Sequence, residues 1–128
     1  MQVMLIDADY NFGLALKVAL DAFGVRLTHY TDTSEGLKVW KTQKDPYELL
    51  LISENITEYD LDIALDEIRD NDVNLPILVI TNGNDLQSLK VLLERRVINS
   101  VGYRSLDANA VQDLIEQIYK LIAQFKGS

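Results

Sequence analysis

The chain has 128 residues, the size of one domain, with 48% apolar and 25% charged residues and a formal net charge of −8. Such a composition folds as a soluble globule rather than staying disordered, and the length is too short for two well-cored units. No apolar run approaches the roughly 20 residues that span a bilayer, and the acidic balance argues against a nucleic-acid binder of the backbone-neutralising kind. With no cysteine and a single histidine, His29, disulfides, thiolate zinc sites, cysteine nucleophiles and multi-histidine metal sites within one chain are excluded. Met1-Gln2-Val3 enters an apolar segment with no basic flank and meets Asp7 at once, which is not a signal-peptide pattern. The expected compartment is the cytoplasm.

Val3-Met4-Leu5-Ile6 is an apolar run with no polar alternation, as in a strand buried on both faces. Phe12, Leu16, Ala19, Leu20 and Phe23 then fall on one helical stripe, closed by Gly24. Arg26 to Tyr30 reads as a more polar strand, and Leu37 and Trp40 mark a short helix between Thr33 and Lys44 that stops before Pro46. Leu49 to Ile52 repeats the buried-strand pattern and is followed by the stripe Leu61, Ala64, Leu65, Ile68. Ile77 to Ile80 repeats it again, ahead of Leu86, Leu89 and Leu93. Ser100 to Tyr103 is a weak strand, and Val111, Leu114, Ile115, Ile118, Ile122 and Phe125 form the longest stripe.

Strand and helix thus alternate five times, with short connections and no linker or repeat. The pattern predicts an α/β fold over residues 1–126 as one domain: a five-stranded parallel sheet with helices on both faces and right-handed crossovers. In an open sheet of this kind, chemistry belongs at the carboxyl ends of the strands. Those ends are Asp7-Ala8-Asp9, Ser53-Glu54-Asn55, Thr81-Asn82 and Arg104-Ser105.

These strand ends, with Tyr47-Glu48-Leu49-Leu50-Leu51-Ile52, Leu75-Pro76-Ile77-Leu78-Val79-Ile80-Thr81 and Tyr103-Arg104-Ser105-Leu106-Asp107, resemble the receiver domain of bacterial response regulators over essentially the whole chain. The resemblance implies the flavodoxin-like (βα)5 fold. It also implies a chemistry: phosphoryl transfer from a phosphohistidine to an aspartate after the third strand. An acidic pair after the first strand holds Mg²⁺, and a Ser/Thr and a Lys contact the phosphoryl oxygens. Positioning and charge neutralisation do the work, and the metal supplies much of the second.

Carried over residue by residue, the match is partial. Asp7 falls on the first member of the acidic pair, but Ala8 replaces the second, usually the direct metal ligand. Ser53 stands at the phosphoacceptor position, Thr81 matches the hydroxyl position, Arg104 replaces the lysine, Ser105 replaces the following proline, and Val101 sits at the switching aromatic. The chain therefore looks like a degenerate, or pseudo-, receiver: not an enzyme, with no cofactor and weak or absent Mg²⁺ binding. Its expected role is that of an interaction module in a two-component (phosphorelay) type regulator, independent of aspartyl phosphorylation. The alternatives are an atypical receiver regulated by phosphorylation of Ser53 or a substitute acid, one that binds a small anion, or a dimerisation domain of a longer regulator.

The neighbouring polar residues complete the pocket. Asp9 is read as a solvated or helix-capping acid that could swing towards Asp7, and Glu54 as aimed away, because adjacent strand residues face opposite sides. His29, one strand removed, is expected to face solvent rather than to serve Ser53 as a base. Asn82-Gly83 reads as a turn rather than a phosphate cradle. The Arg104 guanidinium is expected to fork onto Asp7 and lower its pKa.

Charge is polarised along the chain. From Asp45 to Asp72 ten acids face one base, Arg69, whereas Leu86 to Leu106 carries Lys90, Arg95, Arg96 and Arg104 against Glu94. The face formed by the fourth helix, fifth strand and fifth helix, with Lys90, Arg95, Arg96 and Tyr103, is the expected contact surface for a protein partner, an output domain or a second copy. Neither nucleic acid nor membrane is an expected partner.

Overall fold

The computed structural model describes residues 1–42, 47–105 and 107–126. Its elements follow the predicted alternation: β1 (Gln2–Ile6), α1 (Tyr10–Asp21), β2 (Arg26–Tyr30), α2 (Thr33–Thr42), β3 (Leu49–Ser53), α3 (Leu61–Asn71), β4 (Ile77–Thr81), α4 (Leu86–Glu94), β5 (Ser100–Tyr103) and α5 (Ala108–Lys126). All strand pairs are parallel, in the order β2-β1-β3-β4-β5. The expected α2 end at Lys44 and Pro46, and Leu106 in the last motif, lie outside the described residues.

Side chains alternate across the sheet, and so divide the core in two. Val3 and Leu5 of β1 and Leu49 and Leu51 of β3 pack with Phe12, Leu16 and Leu20 of α1 and with Leu114, Ile115, Ile118 and Ile122 of α5. Met4, Ile6, Leu50 and Ile52 point the other way, onto Leu37 of α2, Ala64, Leu65 and Ile68 of α3 and Leu89 of α4. Every residue of β3 and β4 is buried, which is why those strands read as unbroken apolar runs. At the amino ends of β4 and β5, Arg69 donates to the backbone oxygens of Val97 (2.9 Å), Leu75 (2.8 Å) and Asp72 (3.2 Å). The only base of the acidic stretch is a structural clamp.

Some stripe residues depart from expectation. Phe23 lies beyond the end of α1 and is 49% exposed. On α4 only Leu89 is buried, while Leu86 and Leu93 remain exposed beside β5. Helical period says which residues share a face, but not whether a neighbour covers all of it.

Gly13 is required by packing. A Cβ there would run into Nδ1 and Cε1 of the His29 ring. Gly13→Ala is therefore expected to lower the melting temperature, although alanine is the better helix former by about 1 kcal/mol. In a His29→Ala background the same change should raise it. Thermal melts of the four proteins check both signs.

Candidate functional site

The strand order reverses direction between β1 and β3, and the loops that leave the strands there part to opposite faces. Asp7 follows β1 at this point and is fully buried, as are Ser53 at the end of β3 and Thr81 at the end of β4. Arg104 follows β5, and its backbone N–H bonds the Thr81 carbonyl at 2.9 Å. The fold thus brings together Asp7, Asp9, Ser53, Thr81 and Arg104.

Arg104 grips Asp7 with its planar fork. Nη2 lies 2.7 Å from Oδ1 and Nη1 lies 3.1 Å from Oδ2, with Nη1 also 3.3 Å from Oδ1. The Arg104 side chain is only 13% exposed, and its guanidinium carbon lies 4.7 Å from the centroid of the Phe12 ring, on its face. Nη2 also lies 3.3 Å from Asp9 Oδ2. Asp9 itself caps α1, accepting the Phe12 N–H at 3.1 Å, while its own N–H bonds Asp7 Oδ1 at 2.8 Å. One Asp9 oxygen thus caps the helix while the other faces the Arg104 guanidinium.

The Ser53 hydroxyl oxygen accepts the Asn55 N–H at 2.9 Å, and the hydroxyl is among the groups that oppose the rise of the Asp7 pKa. Asn55 ties the β1 and β3 loops together as well, through its carbonyl to Ala8 N–H at 2.8 Å. Nothing in the sequence marks Asn55 for this, because its contribution is largely backbone.

Three expectations require correction. Glu54 does not aim away: the Thr81 hydroxyl donates to its Oε1. Glu54 lies one residue past β3, where strict strand alternation no longer sets direction. His29 is half-buried rather than solvent-facing, with Nε2 2.8 Å from the Asp7 backbone oxygen. The Asp7 pKa is raised, not lowered. Burial of the carboxylate pushes it up from the usual 3.8, against the opposing effects of the Asp9 N–H, the Arg104 charge, the Ser53 hydroxyl and His29. Desolvation outweighs pairing because the carboxylate has no water contact at all.

The receiver resemblance implies a Mg²⁺ ion here, and the donor set does not fit one. Mg²⁺ takes oxygen ligands in near-octahedral geometry, but both Asp7 oxygens are engaged by Arg104, and Asp9 is divided between a helix cap and the same guanidinium. Among the described residues there is no group of three acids or histidines that could hold a metal. A fixed organic cation neutralises the carboxylates instead.

The remaining predicted residues lie apart from this pocket. Lys90 is exposed on α4 and lines the groove beside β5, but the expectation that Arg95 shares that face requires correction. Arg95 caps the carboxyl end of α4 and lines a groove with Asp62, Leu65 and Asp66 of α3. Arg96 follows with a left-handed backbone (φ 61°) beside Arg69 and Asn99. Tyr103, 56% exposed, closes an apolar groove of about 300 Å³ with Leu86, Leu89, Lys90, Leu93 and Val101.

Comparison with solved structures gives the class of the fold. The chain aligns with a response regulator receiver domain protein from Clostridium thermocellum at TM-score 0.83 and 17% identity, over 98% of this chain and 96% of that one. A response regulator receiver domain protein from Methanospirillum hungatei JF-1 aligns at TM-score 0.83 and 14% identity, with the same coverage of both chains. A structure described as adenylate cyclase from Rhodopirellula baltica aligns at TM-score 0.81 and 17% identity, over 98% of this chain and 92% of that one. By sequence, no protein-family model and no curated protein matches. This chain has the receiver-domain fold, the flavodoxin-like (βα)5 sheet. No described helix is long and apolar enough to cross a membrane.

Proposed function

We propose that this domain is a receiver-like interaction module of a two-component type regulator, without catalytic activity of its own, that works independently of aspartyl phosphorylation and of Mg²⁺. The observation that carries this reading is the closed pocket: both oxygens of Asp7 are engaged by Arg104, and a buried Ser53, whose hydroxyl oxygen accepts the Asn55 N–H, occupies the acceptor position. A serine hydroxyl needs a positioned base to become a nucleophile, and His29 spends its Nε2 on the Asp7 carbonyl. Complete burial of Ser53 also weighs against its modification by a kinase. Incubation with acetyl phosphate and Mg²⁺, followed by intact-mass measurement, is expected to show no added phosphate. A stoichiometric phosphate on Asp7, Asp9 or Glu54 overturns the reading.

The contact surface in this proposal is the face of α4, β5 and α5. The exposed apolar residues Leu86, Leu93 and Tyr103 lie there next to Lys90. Glu58, Asp60, Asp62, Asp66 and Asp70 are exposed on and before α3, so a second copy or an acidic partner meets Lys90 at this groove with complementary charge. Exposed ion pairs are individually weak and are screened by salt. Self-association is therefore expected to be modest, weakened by raised salt and reduced in Lys90→Glu, as read by sedimentation. A monomer at high concentration and low salt, together with normal partner binding by the variant, removes this face from the proposal.

A further inference from the structure

We infer that Glu54 is a built-in anionic ligand for Thr81 and that this contact holds the α4–β5 groove in its open, apolar shape. The inference deepens the proposed function, because it rests on that groove being the contact surface, and it names what regulates its shape.

The connection is a chain of contacts. The buried Thr81 hydroxyl has one proton and gives it to Glu54 Oε1, while the same oxygen accepts the Gly83 N–H at 2.9 Å. Glu54 is placed for this by its own N–H, which bonds the Ile80 carbonyl at 3.1 Å, one residue before Thr81. Gly83 has φ +88°, a left-handed conformation that favours glycine, and opens the turn to Asp85, the N-cap of α4. A Cβ on Gly83 would lie 3.7 Å from Cε1 of Tyr103, so the Tyr103 ring stands beside this turn. Tyr103 is also the register partner of Thr81 and a wall of the groove lined by Leu86, Leu89, Leu93 and Val101.

The direction of the Thr81 hydroxyl is therefore felt at Gly83, at the start of α4 and at Tyr103. A buried hydroxyl deprived of its acceptor must re-pair, and its oxygen is already tied to the Gly83 N–H of this turn. The receiver resemblance assigns this hydroxyl to phosphoryl oxygens; here a carboxylate from the same chain holds it permanently. Glu54 is a positioning residue, acting through Thr81.

Hydrogen exchange and NMR on the whole domain test the latch. In Glu54→Ala, amide exchange from Gly83 to Ser88 is expected to speed up about tenfold, as expected of a local opening, and the Tyr103 ring signals should shift, while α1 and β2 stay unchanged. Thr81→Val should reproduce this, and the double variant should go no further, because the two residues form one interaction. Glu54→Gln should restore the wild-type pattern, since its amide oxygen accepts the same proton. Wild-type Gly83 and Tyr103 signals in Glu54→Ala, or full additivity with Thr81→Val, overturn the inference. If exchange responds as expected but self-association does not change, the latch stands and the docking reading fails. If self-association changes without a response at Gly83 and Tyr103, the latch fails and the docking reading stands.

Discussion

Replacing Arg104 with alanine is expected to destabilise the domain by about 3–5 kcal/mol at neutral pH, the usual cost of stripping one partner from a buried ion pair. Asp7 is fully buried and Arg104 nearly so, so water does not replace the lost guanidinium. A single domain has a total stability of only about 5–15 kcal/mol, and the loss should show as a large drop in melting temperature. The pH dependence identifies the cause. Burial already raises the Asp7 pKa in the folded protein, so between that value and the unfolded one the native state binds more protons than the unfolded state. Stability from this group therefore rises as pH falls through the folded pKa and levels off below the unfolded pKa. Removing Arg104 takes away one of the opposing charges, pushes the Asp7 pKa higher and widens that window. Denaturant titrations at several pH values should show the variant regaining part of its loss on acidification, and Arg104→Ala/Asp7→Asn should be less pH-dependent than Arg104→Ala alone. A variant equally destabilised at every pH would mean that the guanidinium matters through its packing on Phe12 rather than through the charge pair.

Rebuilding the lost carboxylates is expected to create what the natural pocket lacks. In Ala8→Asp/Ser53→Asp/Arg104→Lys, three acids converge at the strand ends and the forked cation that fills the space beside Asp7 is replaced by a flexible point charge. Without metal this variant should be less stable than the wild type, because like charges crowd a buried site. Millimolar Mg²⁺ should restore it, with a gain that grows by mass action; a concentration 100 times the dissociation constant corresponds to about 2.7 kcal/mol. The wild type should show almost no melting shift with Mg²⁺, since the buried Asp7 carboxylate is already neutralised. Acetyl phosphate with Mg²⁺ should then add one phosphate to the triple variant and none to the wild type. Mg²⁺-insensitive melting of the triple variant would show that the strand ends are spaced for the arginine and not for the metal.

Much of this protein was determined by local sequence. Helical period and unbroken apolar runs act over a few residues, so the order of ten elements, the doubly buried β3 and β4, and the placing of polar residues at strand ends follow without tertiary information. Residue identity alone also decides that no carboxylate stands at Ala8 or Ser53 and that a permanent cation stands at Arg104. What the tertiary structure decided concerns residues far apart in the chain. Arg104 meets Asp7 across 97 positions, Thr81 meets Glu54 across 27 and His29 meets the Asp7 carbonyl across 22. The direction of Glu54 depended on where the strand ends, and the exposure of Leu86 and Leu93 on how much of α4 the sheet covers. The raised pKa of Asp7 is the clearest case. Pairing with arginine is visible as chemistry in the sequence, but the opposing desolvation is a property of everything packed around the carboxylate, and only the folded chain brings that together.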